Sequence, residues 1–206
     1  MACAVEITAD LFSYEKQLWQ QGLNYIAGID EAGRGPLAGP VVAAAVIFMD
    51  DVRIPGVKDS KMLTALQRDR LFAEISDQAL CIGVGQASPV EIDRQNILQA
   101  SLLAMRRAVE NLVITPDHAL IDGNQEVPRL CCPQQTIVKG DKRSFTIAAA
   151  SIIAKVTRDR MMIEYHQQFP QYGFDKHKGY PSNAHRAAIR EFGQCEIHRR
   201  SFKVTL

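Results

Sequence analysis

The stretch Ile26-Ala27-Gly28-Ile29-Asp30-Glu31-Ala32-Gly33-Arg34-Gly35-Pro36 contains, in order, an apolar run, two acids and a loop rich in glycine. The apolar run predicts a first strand over residues 24–30. Residues 41–48 are rich in Val, Ile and Ala and predict a second, buried strand. Only the nine residues 32–40 separate the two strands, and a parallel crossover needs about a dozen or more. The two strands are therefore expected to be antiparallel neighbours.

The rest of the chain alternates between strand and helix patterns. Further strands are predicted over residues 80–87, 118–121 and 136–138, and helices from Thr64, over residues 96–112, from Ser144 to about Phe169, and after Ser182. This order predicts an α/β fold in which a mixed β-sheet is covered by helices on both faces. We expect one domain over residues 1–206, with a variable lead-in over about residues 1–22 and a small helical C-terminal appendage over about residues 170–206.

Composition narrows the class of protein. The chain has 206 residues, of which 47% are hydrophobic and 23% are charged, as in ordinary globular proteins. No run approaches the roughly 18 apolar residues of a membrane span, and no secretory signal pattern is present. The five cysteines have no metal-binding spacing, which is typical of reduced thiols. We therefore expect a cytoplasmic protein with no membrane partner.

The net charge of +1 hides an asymmetry between two parts of the chain. From Lys139 onward there are 13 Lys and Arg against 6 Asp and Glu, whereas residues 1–138 hold 11 and 17. A basic segment beside an acidic one suits a polyanion held near a metal site. Solvated helix faces are the alternative interpretation of the same charges.

Two predicted strands end on an aspartate, at Asp30-Glu31 and at Asp122-Gly123. Ligand sites of open α/β sheets gather at the carboxyl ends of strands, so parallel neighbouring strands would bring Asp30 and Asp122 together. Glu31 would join them only if the strand stopped at Asp30, because consecutive strand residues point to opposite faces. Clustered carboxylates with no nearby Cys or His suit Mg²⁺ or Mn²⁺ and phosphoryl transfer. The alternative for each Asp alone is a turn residue.

The loop after these acids contains Gly33, Arg34 and Gly35. Glycines let a backbone approach a ligand closely, and exposed amides can bind phosphate or hydroxyl oxygens. A plain tight turn is the alternative for this pattern by itself. Its position directly after Asp30-Glu31 favours a role in substrate binding.

Seven motifs, in order along the chain from about residue 26, resemble bacterial ribonuclease HII. They are Asp-Glu-Ala-Gly-Arg-Gly-Pro (30–36), Leu-Ala-Gly-Pro (37–40), Asp-Ser-Lys (59–61), Asp-Gly (122–123), Lys-Gly-Asp (139–141), Ala-Ala-Ser-Ile-Ile-Ala-Lys-Val-Thr-Arg-Asp (149–159) and His-Lys-Gly-Tyr (177–180). The resemblance implies a ribonuclease-H-like fold and hydrolysis of RNA in RNA–DNA hybrids. It also implies cutting 5′ of single ribonucleotides embedded in duplex DNA, which leaves 3′-hydroxyl and 5′-phosphate ends.

The same resemblance implies roles for eight residues. Catalytic metal ligands, for two Mg²⁺ or Mn²⁺ ions, are Asp30, Glu31, Asp122 and Asp141; substrate-binding residues are Gly33, Arg34, Gly35 and Tyr180. The glycine-rich loop would sense the ribose 2′-hydroxyl, which distinguishes RNA from DNA, and Tyr180 would stack on the neighbouring sugar. The expected partners are RNA–DNA hybrids and ribonucleotide-containing DNA, bound by a monomer.

Several assignments have competitors. Asp141 precedes the predicted helix cap Ser144, where an acid can also serve the helix terminus, and Tyr180 could pack at a helix start. Asp159 is expected to pair with a basic residue or, alternatively, to face the site. Three histidines are candidates for phosphate contacts or for hydrogen-bonded surface positions: His177, His185 and His198. The rival functions are a nuclease of the same fold with another hybrid or junction preference, and a non-catalytic nucleic-acid-binding module.

Overall fold

A computed structural model of the chain describes residues 11–49, 52–58 and 60–205. Its centre is a five-stranded sheet in the order β3-β2-β1-β4-β5. The strands are β1 Ile26–Ala32, β2 Val41–Ile47, β3 Cys81–Ala87, β4 His118–Asp122 and β5 Gln134–Ile137. The helices are α1 Ser13–Gln20, α2 Ala65–Gln78, α3 Pro89–Glu110, α4 Phe145–Gln168, α5 Phe174–His177 and α6 Asn183–Phe192.

Strand β1 lies at the centre of the sheet and fixes the position of the acids. It is antiparallel to β2 and parallel to β4, with Ile29 opposite Ile121. The predicted antiparallel pair is therefore confirmed, and the parallel neighbourhood under which Asp30 and Asp122 were expected to meet is present. The prediction that the first strand stops at Asp30 is wrong: β1 continues to Ala32, because Glu31 and Ala32 still pair with β2.

Helices cover both faces of the sheet, as the predicted fold class requires. On one face α4 lies directly on β1, where a Cβ atom at Gly28 would come within 2.1 Å of the Thr146 backbone. On the other face α3 packs against β1, β2 and β3, and its Met105 belongs to the same apolar cluster as Ile29. The mixed α/β sheet flanked by helices is thus confirmed. Among the described helices, none is long and apolar enough to cross a membrane.

Helix α3 starts earlier than the predicted residue 96. Ser88 caps it, and the Ser88 and Glu91 side chains form a reciprocal capping box before Pro89 opens the first turn. Asn96 then interrupts the helix with a φ of 69°. Its side chain accepts hydrogen bonds from the amides of Leu98 and Gln99, so it acts as the cap of a second helical segment. The sequence pattern identified this second start and missed the first.

The described part of the lead-in packs onto the start of α4. The carboxylate of Glu15 is fully buried and accepts hydrogen bonds from the Ser144 hydroxyl and from the amide and hydroxyl of Thr146. The Phe12 ring stacks on Phe145 with 4.4 Å between centroids. Residues 11–20 therefore help to fix the helix that lies over β1, while residues 1–10 fall outside the described part.

The C-terminal part contributes the short helix α5 and the helix α6, and it has its own apolar cluster. This cluster includes Tyr172, Phe174 and Ile189, and it also takes in Leu37 from the loop between β1 and β2. The amide of Leu37 donates to the Gly179 carbonyl, and the Leu37 carbonyl accepts from the Arg199 amide. The glycine-rich loop is thus held between the sheet and the C-terminal part.

Candidate metal centre and substrate-binding loop

Asp30 lies on the face of β1 that α4 covers, and only 5% of its surface is exposed. Its Oδ1 atom accepts a 2.7 Å hydrogen bond from the Glu31 amide. Burial is the main cause that raises the pKa of Asp30 well above its usual value, and the charges of Glu31 and Asp122 raise this pKa further. A hydrogen bond from Ser151 opposes the shift. Asp30 is therefore a buried carboxyl whose negative charge the fold balances poorly.

Glu31 points to the opposite face of β1, as the alternation of a regular strand requires. It shares a recess of about 40 Å³ with Asp122 and with α3 side chains such as Ser101. Its Oε1 atom accepts a 3.1 Å charged hydrogen bond from Arg34. Burial raises the pKa of Glu31 and Asp122 adds to that effect, while Arg34 lowers it. Glu31 thus reaches the neighbourhood of Asp122 although the strand does not bend after Asp30.

Asp122 ends β4 and interacts with both of these acids. Its Oδ1 atom accepts a 2.6 Å hydrogen bond from the Gly140 amide, in a 3₁₀ turn over Gly140–Lys142. Asp141 follows in the same turn, is 6% exposed and has partners within the structure. The turn therefore places Asp141 one residue from the group that holds Asp122, but its role as a metal ligand stays a prediction.

The donors of this region fit a hard divalent cation. Three carboxylates act on one another electrostatically at the carboxyl ends of neighbouring parallel strands, and none of the described residues that line the recess of Glu31 and Asp122 is a Cys or His. Within residues 11–49, 52–58 and 60–205, no three acidic, His or Cys side chains converge closely enough to hold an ion as they stand. Glu31 is paired with Arg34 in this arrangement, and clustered carboxylates repel one another.

Ser151 is a site residue that sequence reasoning did not single out. Its hydroxyl lies 2.9 Å from that of Ser60, and it also hydrogen-bonds Asp30. Ser60 belongs to the Asp-Ser-Lys motif, of which Asp59 lies outside the described residues. The available signal was a hydroxyl side chain within the otherwise small and apolar residues 148–154 of α4.

Two buried arginines hold the glycine-rich loop, and neither was predicted to do so. Arg199 donates to the carbonyls of Gly33, Arg34 and Gly39 at 2.6, 3.0 and 2.9 Å. Arg158 donates to three other carbonyls, at 2.9–3.1 Å: Ala38, Pro40 and Lys178. Gly33 has a φ of 101°, and a Cβ atom there would come within 2.1 Å of Arg158 Nε. A residue with a side chain at position 33 would therefore displace the arginine as well as strain the backbone.

Tyr180 lies beside this loop with its ring 44% exposed. A Cβ atom at Gly35 would be 3.6 Å from the ring of Tyr180, which is ordinary contact. The Tyr180 carbonyl is held by the His185 ring at 2.9 Å. The loop residues and Tyr180 are thus brought together, and the tyrosine ring is accessible rather than packed at a helix start.

Three histidines pack behind the loop and Tyr180. His185 and His198 are buried, and their Nε2 atoms lie 3.1 Å apart; burial lowers the pKa of each to about 4. His177 stacks on His185 with 4.5 Å between ring centroids. The expectation of surface positions is wrong for His185 and His198, which serve the packing of the C-terminal part.

A groove of about 670 Å³ extends from Tyr180 along α4. Its basic lining residues are Arg68, Lys155, Arg160, Lys176 and Lys178. Asp159 also lines it and pairs with Lys155 at 2.5 Å, so the predicted pairing of Asp159 with a basic residue is confirmed. The groove offers excess positive charge next to the loop and the exposed tyrosine.

Comparison with known proteins agrees with this geometry. The family model described as ribonuclease HII matches residues 27–205. Ribonuclease HII from Geobacter metallireducens is 57% identical over 193 residues, which cover 94% of this chain and 90% of the relative. The crystal structure of ribonuclease H2 from Pyrococcus horikoshii superposes with a TM-score of 0.72 at 30% identity, covering 87% of this chain and 94% of that one.

A more distant structure also shares the fold. Bst-RNase HIII, solved in complex with Mn²⁺, has a TM-score of 0.70 at 22% identity over 91% of this chain and 70% of its own. The family match spans the sheet, the acids, the glycine-rich loop and the C-terminal part. The chain therefore belongs to the ribonuclease HII family of metal-dependent endonucleases.

Proposed function

We propose that this protein hydrolyses the RNA strand of RNA–DNA hybrids and cuts duplex DNA on the 5′ side of single embedded ribonucleotides. The observation that carries this proposal is that the carboxylate cluster and the glycine-rich loop lie next to each other in one segment. A buried Asp30 with a raised pKa lies on β1 beside Glu31 and Asp122, and the glycine-rich loop begins at Gly33, three residues after it. A site for phosphate hydrolysis and a loop suited to a hydroxyl group are therefore adjacent.

The acids have the role of ligands in this proposal. Asp30, Glu31, Asp122 and Asp141 would hold two Mg²⁺ or Mn²⁺ ions, and such ions supply a nucleophilic water at neutral pH and stabilise charge on the leaving oxygen. The chain itself positions these carboxylates: Ser151 and the Glu31 amide hold Asp30, and the Gly140 amide holds Asp122. Arg34 is paired with Glu31 and lowers the pKa of that carboxylate against the effect of burial.

The loop and the groove have the role of substrate recognition. The amides of residues 33–35 would bind the 2′-hydroxyl, and Tyr180 would stack against the sugar beside it. The basic residues of the groove, among them Lys155 and Lys178, would bind phosphates of the flanking backbone. This binding is expected to be independent of sequence and to weaken as salt concentration rises.

The test is a cleavage assay on a DNA duplex that carries one ribonucleotide. Wild type should cut 5′ of the ribonucleotide with Mg²⁺ or Mn²⁺, and a chelator should abolish the cut. Asp30→Asn should lower the rate by at least about a thousandfold while largely preserving binding. The matched control is Asp117→Asn, at the opposite end of the same two strands, where Asp117 accepts hydrogen bonds from the Asn24 and Tyr25 amides.

Full activity in Asp30→Asn would overturn the ligand assignment. Cutting only long hybrids, with the single ribonucleotide left intact under either metal, would favour the rival nuclease with another preference. Tight binding without any cut would favour the non-catalytic module.

A further inference from the structure

Two buried guanidinium groups lie under the glycine-rich loop, and backbone oxygens satisfy them. Arg158 is 1% exposed and Arg199 is fully buried. All six of their hydrogen bonds end on backbone carbonyl oxygens. Burial of two charged groups is costly, so these arginines have a task that a neutral core residue could not perform.

The two arginines hold different parts of the loop. Arg199 binds the carbonyls of Gly33 and Arg34 and, across the loop, that of Gly39. Arg158 binds only carbonyls that follow this turn or lie next to Tyr180, at Ala38, Pro40 and Lys178. The first peptide groups of the loop are thus oriented by Arg199.

Because each peptide group is planar, the hydrogen bonds from Arg199 to the loop carbonyls also determine the direction of the loop amides. A trans peptide is planar, and its C=O and N–H point in opposite directions. The C=O of Gly33 shares a peptide group with the N–H of Arg34, and the C=O of Arg34 shares one with the N–H of Gly35. Because Arg199 draws both carbonyls into the protein, both amides must point away from it. Among the described residues, neither amide donates to a protein acceptor.

We infer that Arg199 is a positioning residue for ribonucleotide discrimination: it turns the Arg34 and Gly35 amides outward as a pair of donors for the 2′-hydroxyl. This inference rests on the proposed function of the loop. Arg199 touches no substrate and acts through the two peptide groups that it holds.

A planar guanidinium suits this task better than an ammonium group. Its Nε, Nη1 and Nη2 atoms donate in a fixed fork to three carbonyls that are separated along the loop. A lysine keeps the charge, but its three donors diverge from a single nitrogen instead of lying along a planar fork, so it should hold these separated carbonyls less well. Arg199→Lys should therefore loosen the amide pair while preserving a buried cation.

The experiment measures affinity in the Asp30→Asn background, by fluorescence anisotropy with Mg²⁺, for two duplexes that differ only in one 2′-hydroxyl. The preference of this parent for the ribonucleotide duplex should fall by about fivefold or more in Arg199→Lys, with little change in affinity for the all-DNA duplex. Arg158→Lys is the matched control, because it loses the same kind of hydrogen bonds but not those to Gly33 and Arg34. Because Arg158 also lies against Gly33, this variant should lose part of the preference, but clearly less than Arg199→Lys.

An equal loss of preference in both lysine variants would overturn the inference, since any damage to loop packing would then suffice. An undiminished preference in Arg199→Lys would overturn it as well. A parent that prefers neither duplex would overturn the proposed recognition by the loop, and the inference with it.

A second measurement covers the case in which Arg199→Lys does not fold. In the parent, the NMR signals of the Arg34 and Gly35 amides should differ between the ribonucleotide duplex and the all-DNA duplex, whereas the Gly22 amide serves as a distant reference. Identical signals for Arg34 and Gly35 in the two complexes would contradict the inference without any change at position 199.

Discussion

The carboxylates on β1 and β4 and the arginines under the glycine-rich loop are both groups of buried like charges, yet the fold treats them differently. Asp30 is surrounded by Glu31 and Asp122, and burial and these charges raise its pKa. Arg158 and Arg199 also repel each other, and burial lowers their pKa values to about 10 and about 9. Each arginine nevertheless has three carbonyl partners. The arginines are satisfied within the chain, whereas burial and neighbouring negative charge leave Asp30 and Glu31 with raised pKa values.

The largest effect on stability is expected from removing a satisfied charge. Arg199→Met leaves the carbonyls of Gly33, Arg34 and Gly39 without their donor, and it should lower the free energy of unfolding by about 3–5 kcal/mol. Urea denaturation monitored by circular dichroism measures this loss. The exposed Arg160, which pairs with Asp69 at 3.5 Å, provides the control: Arg160→Met should cost less than about 1 kcal/mol. Similar losses in the two variants would remove the distinction between the regions.

A smaller effect on the free energy of unfolding should follow from adding the divalent cation that the proposed function assigns to the carboxylates. Mg²⁺ or Mn²⁺ at a hundred times its dissociation constant should stabilise the wild-type protein by about 2.7 kcal/mol, because the ion binds the folded state. Asp30→Asn should lose most of this gain. Asp117→Asn, at the opposite end of β1 and β4, should retain it. The measurement is the urea midpoint with and without metal; equal stabilisation of wild type and Asp30→Asn would place the ions elsewhere.

The smallest change in the free energy of unfolding is a gain, opposite in sign to the loss expected for Arg199→Met. Without metal, Asp30→Asn should raise the free energy of unfolding by about 1–2 kcal/mol. The amide oxygen can still accept the hydrogen bond of the Glu31 amide, and the unfavourable charge is gone. A destabilised Asn variant in chelator would show that Asp30 is balanced within the chain after all.

The pH dependence of the free energy of unfolding reports directly on the unfavourable charge of Asp30. Because the pKa of Asp30 is raised in the folded state, the folded protein binds this proton more tightly than the unfolded chain. Metal-free wild type should therefore lose stability as pH rises from the ordinary value of 3.8 through the raised pKa, and regain it on acidification. Asp30→Asn should lack this contribution. Glu31, whose pKa is also raised, adds in the same direction and remains in the variant.

The sequence predicted the fold and the pairing of the two aspartates because both depend on local patterns. A short loop requires antiparallel strands, and two strands that end on Asp meet when they are parallel neighbours. The position of Glu31 was harder to predict, because whether its side chain reaches Asp122 depends on where β1 ends. That end is set by pairing with β2, a contact that residue 31 alone does not encode.

The roles of the buried arginines could not be predicted from the pattern along the chain. Arg199 meets Gly33 across 166 positions of sequence and Arg158 meets Pro40 across 118. Nothing adjacent to either arginine indicates a backbone carbonyl as its partner. The same holds for His185 and His198, whose burial depends on Phe174 and Tyr172 packing around them.

The long sequence separation between Arg199 and the glycine-rich loop also determines the order in which contacts can form during synthesis. The contacts that hold Asp30 need only residues up to Ser151, but the Gly33 and Arg34 carbonyls wait for position 199. At a synthesis rate of about 5–20 residues per second, the ribosome adds the 48 residues from 152 to 199 over roughly 2–10 s. In the proposed function, the ability to distinguish ribose from deoxyribose would therefore be complete only once Arg199 has been synthesised.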